Sequence, residues 1–345
     1  MKIALISDTH FGVRSDHITF LDNSKLFIDN IFIPYLIQNN ISTIIHLGDV
    51  VDRRKYSNHQ TLFRLRNDFL EKIKDFDNHF IAGNHDVYYK NTNKINALRE
   101  LGINNYGKIY ESKAEIVNFD KTPILFIPWM NDENRKETIE TIKNSNTQIA
   151  MGHLEIVGFE MQKGMISEHG EDRKIFEKYD MVFSGHFHHR SFDGNIFYLG
   201  SHGEFTWSDY NDPRGFHIFD TEKRKIEFIE NPYKIFKKIF WNNQDETEDL
   251  SEYKNCIVKI ITKNKENPYK FESFIEKLET VNPVEIKIID EPIITDSNIE
   301  DHVIDESEPI VSIFEKFIDT VDSKIDKSKI YKKIVELYNE AIALE

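Results

Sequence analysis

The sequence predicts an α/β protein, namely a two-sheet β-sandwich flanked by helices, with a small α/β capping domain and a C-terminal helical element. Three observations lead to this prediction. Short apolar runs repeatedly end in a polar loop, segments with helical spacing lie between these runs, and the pattern changes to short β-like runs after His189. Strands that alternate with helices are typical of layered α/β domains whose loops gather at one end.

Five apolar runs have the pattern of strands that are buried on both faces. The first, residues 2–6, leads into Ser7-Asp8-Thr9-His10. Each of the other four is followed by glycine and a potential metal ligand: residues 43–47 precede Gly48-Asp49, residues 80–82 precede Gly83-Asn84-His85-Asp86, residues 149–151 precede Gly152-His153, and residues 181–184 precede Gly185-His186. Glycine permits positive φ and close backbone approach, so several turns can crowd one small site.

The segments between and after these runs complete the predicted domain. Four of them have helical spacing, at residues 22–39, 58–74, 91–101 and 131–145. Three short runs after His189 read as strands, at residues 195–199, 215–220 and 225–229. From these short strands we expect a second sheet that packs on the first.

Composition divides the chain into further parts. Residues 1–241 form the first predicted domain, and the polar, aperiodic stretch at 242–252 marks its boundary. Residues 253–290 form the capping domain, with two strands and a helix predicted at 256–262, 284–289 and 271–281. An acidic linker at 291–309 precedes the helical element at 310–345. The apolar stripes of this element are suited either to packing on their own domain or to docking on a partner.

Composition also limits the class of protein. No apolar run approaches membrane-spanning length, and the single cysteine, Cys256, cannot form an internal disulfide, so we expect an intracellular protein without membrane association. The net charge of −15 is uneven, because residues 241–345 carry 13 basic and 25 acidic side chains. The nearly neutral remainder would become locally positive if it bound divalent cations, so the acidic total does not exclude a phosphodiester substrate.

Seven side chains near the ends of the predicted strands form a candidate metal site: Asp8, His10, Asp49, Asn84, His153, His186 and His188. Seven nitrogen and oxygen ligands exceed the need of one ion, so the count favours two ions that share one carboxylate, for which we choose Asp49. In an extended backbone, the two-residue spacing of Asp8 and His10 would place both side chains on one side. We expect the same of His186 and His188.

Such a site suits the hydrolysis of a phosphate ester, because two divalent ions about 3.5 to 4 Å apart can activate water and neutralise phosphate charge. His85 follows the predicted ligand Asn84 and cannot easily turn toward the same ions. It is therefore free to face the substrate as a general acid or as a stabiliser of developing charge.

Five motifs in this order resemble those of the calcineurin-like metallophosphoesterases: Asp8-Thr9-His10, Gly48-Asp49-Val50-Val51-Asp52, Gly83-Asn84-His85-Asp86, Gly152-His153 and Gly185-His186-Phe187-His188. Each motif alone is weak, but the ordered set is specific. The short spacing between them, together with Ile127-Pro128-Trp129, is more narrowly similar to the SbcD-type DNA repair nucleases, including the recombination nuclease subunits of T4-like bacteriophages.

The resemblance implies a metallophosphoesterase fold and a subunit of an ATPase-nuclease complex that processes DNA ends. It implies one metal held by Asp8, His10, Asp49 and His188, and another held by Asp49, Asn84, His153 and His186. His85 would be the catalytic histidine. It further implies preference for Mn²⁺ with Mg²⁺ possible, an SbcC-type coiled-coil ATPase partner, and a homodimer formed by helices near the second and third motifs. Action in the host cytoplasm follows if the chain is of bacteriophage origin.

Other readings of these residues remain open. The same site would serve a phosphatase or a cyclic-nucleotide phosphodiesterase, and a catalytically idle DNA-end-binding subunit is the alternative outside the enzymes. Arg53, Arg54 and Lys55 either contact the DNA backbone or belong to a solvated loop. The role of Asp52 is undecided. The remaining histidines are expected to be surface or packing residues, although His189 and His202 lie near enough in sequence to line the site.

Overall fold

The computed structural model describes residues 1–162, 164–241, 249–262 and 267–290, together with residues 318, 327, 329–331 and 333–334. The chain forms two compact units. The first comprises residues 1–162, 166–205 and 211–236, and the second includes residues 206–210 and the described residues after Phe236. Among the described residues, no helix combines the length and apolar character needed to cross a membrane.

The first unit contains two six-stranded sheets. The strand order of the first sheet is Lys225–Glu230, Gly215–Asp220, Lys2–Ile6, Thr43–His46, Asp77–Ile81 and Lys108–Tyr110. Its last four strands are parallel, whereas Gly215–Asp220 pairs antiparallel with both of its neighbours. The N-terminal strand is therefore central and is buried on both faces, as its unbroken apolar run predicts.

The second sheet has the strand order Ser191–Asp193, Ile196–Tyr198, Met181–Gly185, Ile149–His153, Thr122–Ile127 and Glu115–Phe119. The expectation that the short strands after His189 build the second sheet is therefore wrong in part. Ile196–Tyr198 does join it, but Gly215–Asp220 and Lys225–Glu230 extend the first sheet. Hydrophobic periodicity identifies strands, but it carries no information about which strands pair.

The two sheets pack face to face through a core of buried residues from both. Leu5, Ile45 and Phe219 come from the first sheet, and Met151 and Phe183 come from the second. Alternate residues of the same strands point outward and contact helices. The predicted α/β two-sheet sandwich flanked by helices is confirmed for this unit.

The helices cover the outer faces of the sandwich. The longer ones are Ile18–Phe27, Ile33–Gln38, His59–Arg64 and Arg135–Asn144, with one-turn helices at Glu71–Ile73 and Ala97–Glu100, whereas Val13–Asp16 is a left-handed turn. π-Helical segments, Ile28–Phe32 and Leu65–Leu70, join several of them into continuous helices. Phe27, Phe32 and Phe69 pack from this layer onto Ala4 and Phe80 of the first sheet. Short 3₁₀ turns occur at Ile103–Asn105 and Arg173–Phe176.

The helix predicted at residues 91–101 is wrong over its first half. Thr92–Asn96 is a strand that pairs antiparallel with Val87–Tyr89, and the helix is limited to Ala97–Glu100. The Asn96 side chain accepts a hydrogen bond from the backbone N–H of Arg99 and so begins the helix at Ala97. The helical spacing of the apolar residues runs through both the strand and the short helix. It therefore does not reveal that the conformation changes at residue 97.

The second unit contains a three-stranded sheet with the order Phe236–Trp241, Ile257–Thr262 and Glu285–Asp290, of which the last two strands are parallel. The helix Pro268–Thr280 lies between these two in sequence and is capped by Asn267. 3₁₀ turns occur at Trp207–Asp209 and Ser251–Tyr253. The strand Phe236–Trp241 lies in a stretch that sequence analysis assigned to the first domain. The linker predicted at 291–309, and nearly all of the helical element at 310–345, lie outside the described residues.

Candidate metal centre

Two clusters of potential metal ligands lie where the loops after the sheet strands meet, and a third group, His10, Asp52 and His85, shares His10 with the first. In the first cluster, ligand atoms of Asp8, His10 and His188 all lie within 4.8 Å of one another. The Nε2 atoms of His10 and His188 are 3.0 Å apart, and His10 Nε2 is 3.9 Å from Asp8 Oδ1. Strands from both sheets therefore contribute to one cluster.

The second cluster consists of Asp49, His153 and His186, whose ligand atoms are likewise within 4.8 Å of one another. The side-chain oxygen of Asn84 joins them, because it is 2.9 Å from both His153 Nε2 and His186 Nδ1. The four side chains lie at or just after the ends of four different strands, so this cluster also depends on the assembly of both sheets.

Asp49 lies between the two clusters. Its Oδ2 atom is 3.6 Å from His10 Nε2 and 3.3 Å from His153 Nε2. The structure thus brings together all seven side chains that the sequence singled out, and Asp49 is within reach of both groups.

The local backbone differs from the expectation at this site. Asp8, His10, Asp49 and His186 have positive φ angles of 52°, 41°, 56° and 87°, so the two-residue spacing does not act through an extended strand. Residues other than glycine rarely adopt such angles, and they cost free energy that the surrounding structure must supply. The prediction of an extended backbone at Asp8 and His10 is therefore wrong, although the two side chains do converge.

Glycine permits the close approach of these loops at two positions. Gly48 has a φ of 97°, and a Cβ atom there would lie 2.4 Å from His153 Nδ1. A Cβ atom on Gly83 would lie 2.2 Å from Asp49 Oδ1. A side chain at either position would therefore displace a residue of the second cluster.

Asp86 joins two of the loops, a role that sequence analysis did not assign. Its buried carboxylate accepts hydrogen bonds from the backbone N–H groups of Asp49, Val50, Val51 and Gly83, at 2.9 to 3.3 Å. The only sequence signal was its place at the end of the Gly83-Asn84-His85-Asp86 motif.

Two histidines are oriented through the ring nitrogen that faces away from the clusters, His153 by a hydrogen bond and His10 by an ion-pair contact. His153 Nδ1 donates to the carbonyl oxygen of Leu47 at 2.8 Å, and His10 Nδ1 lies 3.3 Å from Asp52 Oδ1. Such contacts fix the ring and the tautomer and leave Nε2 for a ligand. Asp52, whose role was left open, thus acts on His10.

His85 lies beside the first cluster, with its ring centroid 4.8 Å from that of His10. Its backbone N–H donates to Asp49 Oδ1 at 2.7 Å, and its Nδ1 donates to the carbonyl oxygen of Asp52. Burial lowers the pKa of His85, although the charge of Asp49 opposes this effect.

Burial and charge set the protonation states of the clusters. Burial lowers the pKa of His186 to about 3 and that of His188 well below its usual value, so both rings are neutral. Burial also raises the pKa of Asp8 to about 6. Against the effect of burial, His153 and His85 hold the pKa of Asp49 well below its usual range.

The pKa values of His10 and His153 are raised rather than lowered. Although burial works against it, contacts with Asp52 and Asp49 raise the pKa of His10 to about 9, and the charge of Asp49 raises the pKa of His153 to about 9. These carboxylates therefore attract positive charge to both clusters.

The donor set fits divalent cations. Carboxylate, amide and imidazole groups are ligands for Mn²⁺, Zn²⁺ and related ions, and they occur here at two adjoining points. The Nε2 atoms of His10 and His188 face each other at 3.0 Å although at most one hydrogen can lie between them. A cation between these nitrogens and the nearby carboxylates would satisfy both lone pairs.

The basic residues after the second motif differ in their surroundings. Arg53 forms an ion pair with Asp16 at 3.0 Å and lies over the ring of Tyr56. Arg54 is half-buried and close enough to Asp49 for their charges to interact, and Lys55 is exposed.

The histidines expected to be packing residues include two that lie near the site in sequence. His189 Nδ1 is 2.9 Å from Asp212 Oδ2, and His202 Nε2 is 2.9 Å from the hydroxyl of Ser24. Neither belongs to the clusters of potential metal ligands found among the described residues.

Comparison with known proteins identifies the family. The profile of the calcineurin-like phosphoesterases matches residues 1–190. Exonuclease subunit 1 of Enterobacteria phage T4 is 38% identical over 288 residues, which are 81% of this chain and 82% of the relative. The SbcD subunit of the SbcCD nuclease of Staphylococcus epidermidis is 23% identical, over 79% of this chain and 78% of that one.

A second SbcD subunit, from Staphylococcus saprophyticus, is 24% identical over 74% of this chain and 76% of its own length. Calcineurin-like phosphoesterases use dinuclear metal sites, for which the two ligand clusters around Asp49 are suited. On the extent of the profile match and the identity to the phage protein, the chain belongs to the calcineurin-like phosphoesterase family.

Proposed function

We propose that the protein is a two-metal-dependent DNA nuclease, with exonuclease and endonuclease activity, that forms the catalytic subunit of an ATPase-nuclease complex. The position of Asp49 carries the proposal, because one carboxylate oxygen lies 3.6 Å from the His10 ring and 3.3 Å from the His153 ring. A single ion could not use both clusters fully, whereas two ions that share this oxygen could.

The donors divide between the two ions, and Asp49 is common to both sets. Asp8, His10, Asp49 and His188 would hold one ion, and Asp49, Asn84, His153 and His186 would hold the other. We propose Mn²⁺ as the preferred metal, with Mg²⁺ as a possible substitute. When bound, the ions would supply Lewis-acid activation of water and neutralise the charge of the phosphodiester.

His85 would assist the departure of the leaving oxygen. Because its Nδ1 hydrogen is donated to the carbonyl of Asp52, only the imidazolium form carries a proton on Nε2. Burial makes this form a minor one, and the negative charge of a phosphate would raise its population. The protonated Nε2 would then donate to the leaving group or stabilise its charge.

The substrate and the partners follow from the relatives. All three that are named above are subunits of nucleases, which supports DNA as the substrate and action in DNA recombination and repair. We further propose an SbcC-type coiled-coil ATPase as partner, a homodimer that includes the helices at residues 58–74 and the segment 91–101, and action in the host cytoplasm.

The remaining parts of the chain would support this activity. Residues 1–241 would form the nuclease domain, and residues 253–290 would help to position DNA. The segment 310–345, reached through the linker 291–309, would bind the ATPase. Arg54, half-buried beside Asp49, and the exposed Lys55 would contact the phosphate backbone; Arg53 would do so after exchange of its ion pair with Asp16.

A nuclease assay tests the proposal. Purified protein with Mn²⁺ or Mg²⁺, with and without the ATPase, is offered linear duplex DNA, single-stranded DNA and a chromogenic phosphomonoester. We expect nucleotide release from DNA that is lost at least about a hundredfold in His85→Gln. The exposed His169→Gln serves as the matched control and should retain activity. Turnover of the monoester with intact DNA would instead indicate a phosphatase, and DNA binding without any turnover would indicate an idle subunit.

The shared role of Asp49 has a separate test. Asp49→Ala should lose both metals together, whereas Asp8→Ala should mainly weaken one. Elemental analysis of the purified variants, after equilibration with Mn²⁺, gives the number of ions per chain. Loss of one ion in both variants would contradict a shared carboxylate.

A further inference from the structure

A β-hairpin leaves the metal centre directly after the loop that carries His85. Its strands Val87–Tyr89 and Thr92–Asn96 pair antiparallel, with Tyr89 opposite Thr92. Here this segment, residues 87–96, is named the aromatic hairpin. Tyr89 is the fourth residue after His85, so the tip begins within about 13 Å of the His85 backbone.

The hairpin carries two adjacent aromatic rings. Tyr89 is 49% exposed and Tyr88 is half-buried, and their ring centroids are 4.7 Å apart in an edge-to-face arrangement. Lys94, on the second strand, has a side chain that is 75% exposed, and its ion pair with Glu133 is solvated. An exposed pair of this kind contributes little free energy, so Lys94 can exchange it for another anion.

The second strand of the hairpin is held against the segment around Trp129 by the residue after Thr92. The buried side chain of Asn93 donates to the carbonyl oxygens of Trp129 and Glu111, at 2.8 Å each, and accepts from the Asn131 side chain at 2.7 Å. The backbone N–H of Trp129 in turn donates to the carbonyl oxygen of Ala82. The hairpin is thus fixed relative to Trp129.

The Trp129 ring adjoins the second ligand cluster. Its centroid is 5.1 Å from that of His186 and 6.0 Å from that of His153, and the residue is only partly buried. The same set of hydrogen bonds therefore positions the Trp129 ring beside the second cluster and the Tyr88 and Tyr89 rings on the hairpin that leads away from it.

We infer that Trp129, Tyr88 and Tyr89 form a stacking track for unpaired nucleotides of the DNA strand whose phosphodiester lies at the metal centre. This inference rests on the proposed nuclease function and adds the substrate class, a strand with at least a few unpaired bases. Aromatic rings stack on every base, so such a track binds single strands without sequence preference, and a lysine beside it can meet the backbone.

The length of the hairpin suits this use. The distance of about 13 Å from the His85 backbone to Tyr89 corresponds to a few nucleotides of stacked single strand. Paired bases have no free face for an aromatic ring except at a duplex end. The track therefore favours single strands and frayed ends over the interior of a duplex.

The inference is tested by combining protein variants with normal and modified substrates. Cleavage is measured for a single-stranded oligonucleotide and for the same oligonucleotide with abasic residues beside the cleaved bond. Wild-type protein should cleave the normal strand roughly ten- to hundredfold faster in kcat/KM. Tyr89→Ala should lose most of this difference, with little change on the abasic strand. Tyr89→Phe, which keeps the ring, should retain the difference.

Phe192→Ala is the matched control, because that ring is 71% exposed on the outermost strand of the second sheet. It should leave both rates unchanged. Equal loss on both substrates in Tyr89→Ala would overturn the inference. A fall from dimer to monomer mass by light scattering in that variant would also overturn it, since Tyr89 would then belong to the proposed homodimer interface, which includes the neighbouring segment 91–101.

Failure of the proposed function gives a different result. If wild-type protein cleaves neither strand, the nuclease assignment fails. The affinities of wild type and Tyr89→Ala for the two oligonucleotides, measured by fluorescence anisotropy, then decide the stacking track independently. A selective loss of affinity for the normal strand supports it, and equal affinities overturn it.

Discussion

Asp52 contacts two histidines of the candidate metal centre through different atoms. Its carboxylate lies 3.3 Å from His10 Nδ1, and its backbone carbonyl accepts from His85 Nδ1. Asp52→Ala should therefore disturb His10 alone and weaken Mn²⁺ binding roughly ten- to hundredfold at one of two sites. Titration calorimetry measures this effect. Asp52→Asn keeps an acceptor and should lose less; equal affinity in wild type and Asp52→Ala would show that the contact is dispensable.

His217 makes stability depend on pH. It is buried in the strand Gly215–Asp220, and burial, assisted by the charge of Arg190, lowers its pKa to about 3. The unfolded chain takes up this proton below about pH 6.5, so stability is lost as pH falls from there toward 3. At pH 5 the loss due to His217 should be roughly 2 kcal/mol.

The variant His217→Leu should remove that part of the pH dependence. Urea unfolding of both proteins at pH 7 and pH 5 measures the difference. The two proteins should lose stability unequally, with wild type losing more. Parallel losses would mean that the His217 ring is protonated in the folded protein.

The residues of the metal centre were predictable from sequence, but their backbone was not. Asp49 and the six other candidate ligands occur near the ends of predicted strands in a specific order, and this order is visible in the sequence. The positive φ angles of Asp8 and His10 depend on bonds to other loops, such as the bond from the His10 N–H to the Asp49 carbonyl. Spacing along one segment contains no information about such bonds.

At the scale of elements, Asp86 holds the loop after the second strand against the loop after the third. The two carboxylate oxygens of Asp86 now accept hydrogen bonds from four backbone N–H groups. In Asp86→Asn only one oxygen would remain as an acceptor, and the side-chain NH₂ group would face backbone N–H groups that also donate. The free energy of unfolding should fall by roughly 2 to 3 kcal/mol. Denaturant unfolding measures this, with the exposed Asp132→Asn as control. Unchanged stability would show that water replaces the lost acceptor.

The aromatic hairpin shows why one element was mistaken for another. Residues 91–101 contain apolar positions at Ile95, Leu98 and Leu101, which fit a helix. The buried side chains of Asn93 and Asn96 instead bond to carbonyl and carboxylate oxygens of segments distant in sequence. These tertiary bonds favour a strand there, and local propensity could not reveal them.

At the scale of the whole molecule, eight of the twelve strands in the two six-stranded sheets were predictable, but their division between the sheets was not. No strand was predicted at Lys108–Tyr110, Glu115–Phe119, Thr122–Ile127 and Ser191–Asp193. The apolar runs at residues 43–47 and 149–151 have the same pattern, yet they lie in different sheets. Pairing depends on contacts between segments that can lie more than 100 residues apart, as in the strand Lys2–Ile6 beside Gly215–Asp220.

The proposed roles of the parts lead to a prediction for a shortened chain. A chain that ends at residue 309 should retain two metals and DNA cleavage, because the ligands lie between residues 8 and 188. It should lose association with the ATPase. Size-exclusion chromatography with the purified ATPase measures association, and full-length protein is the control. Co-elution of the shortened chain would place the contact elsewhere.

The central position of the N-terminal strand has a consequence for biosynthesis. Lys2–Ile6 pairs with Gly215–Asp220, and the Met1 ammonium group donates to the Thr221 hydroxyl. While a ribosome is still making the chain, one edge of that strand stays open until about residue 220 has emerged. An open apolar edge invites aggregation, so the nascent protein should benefit from chaperones.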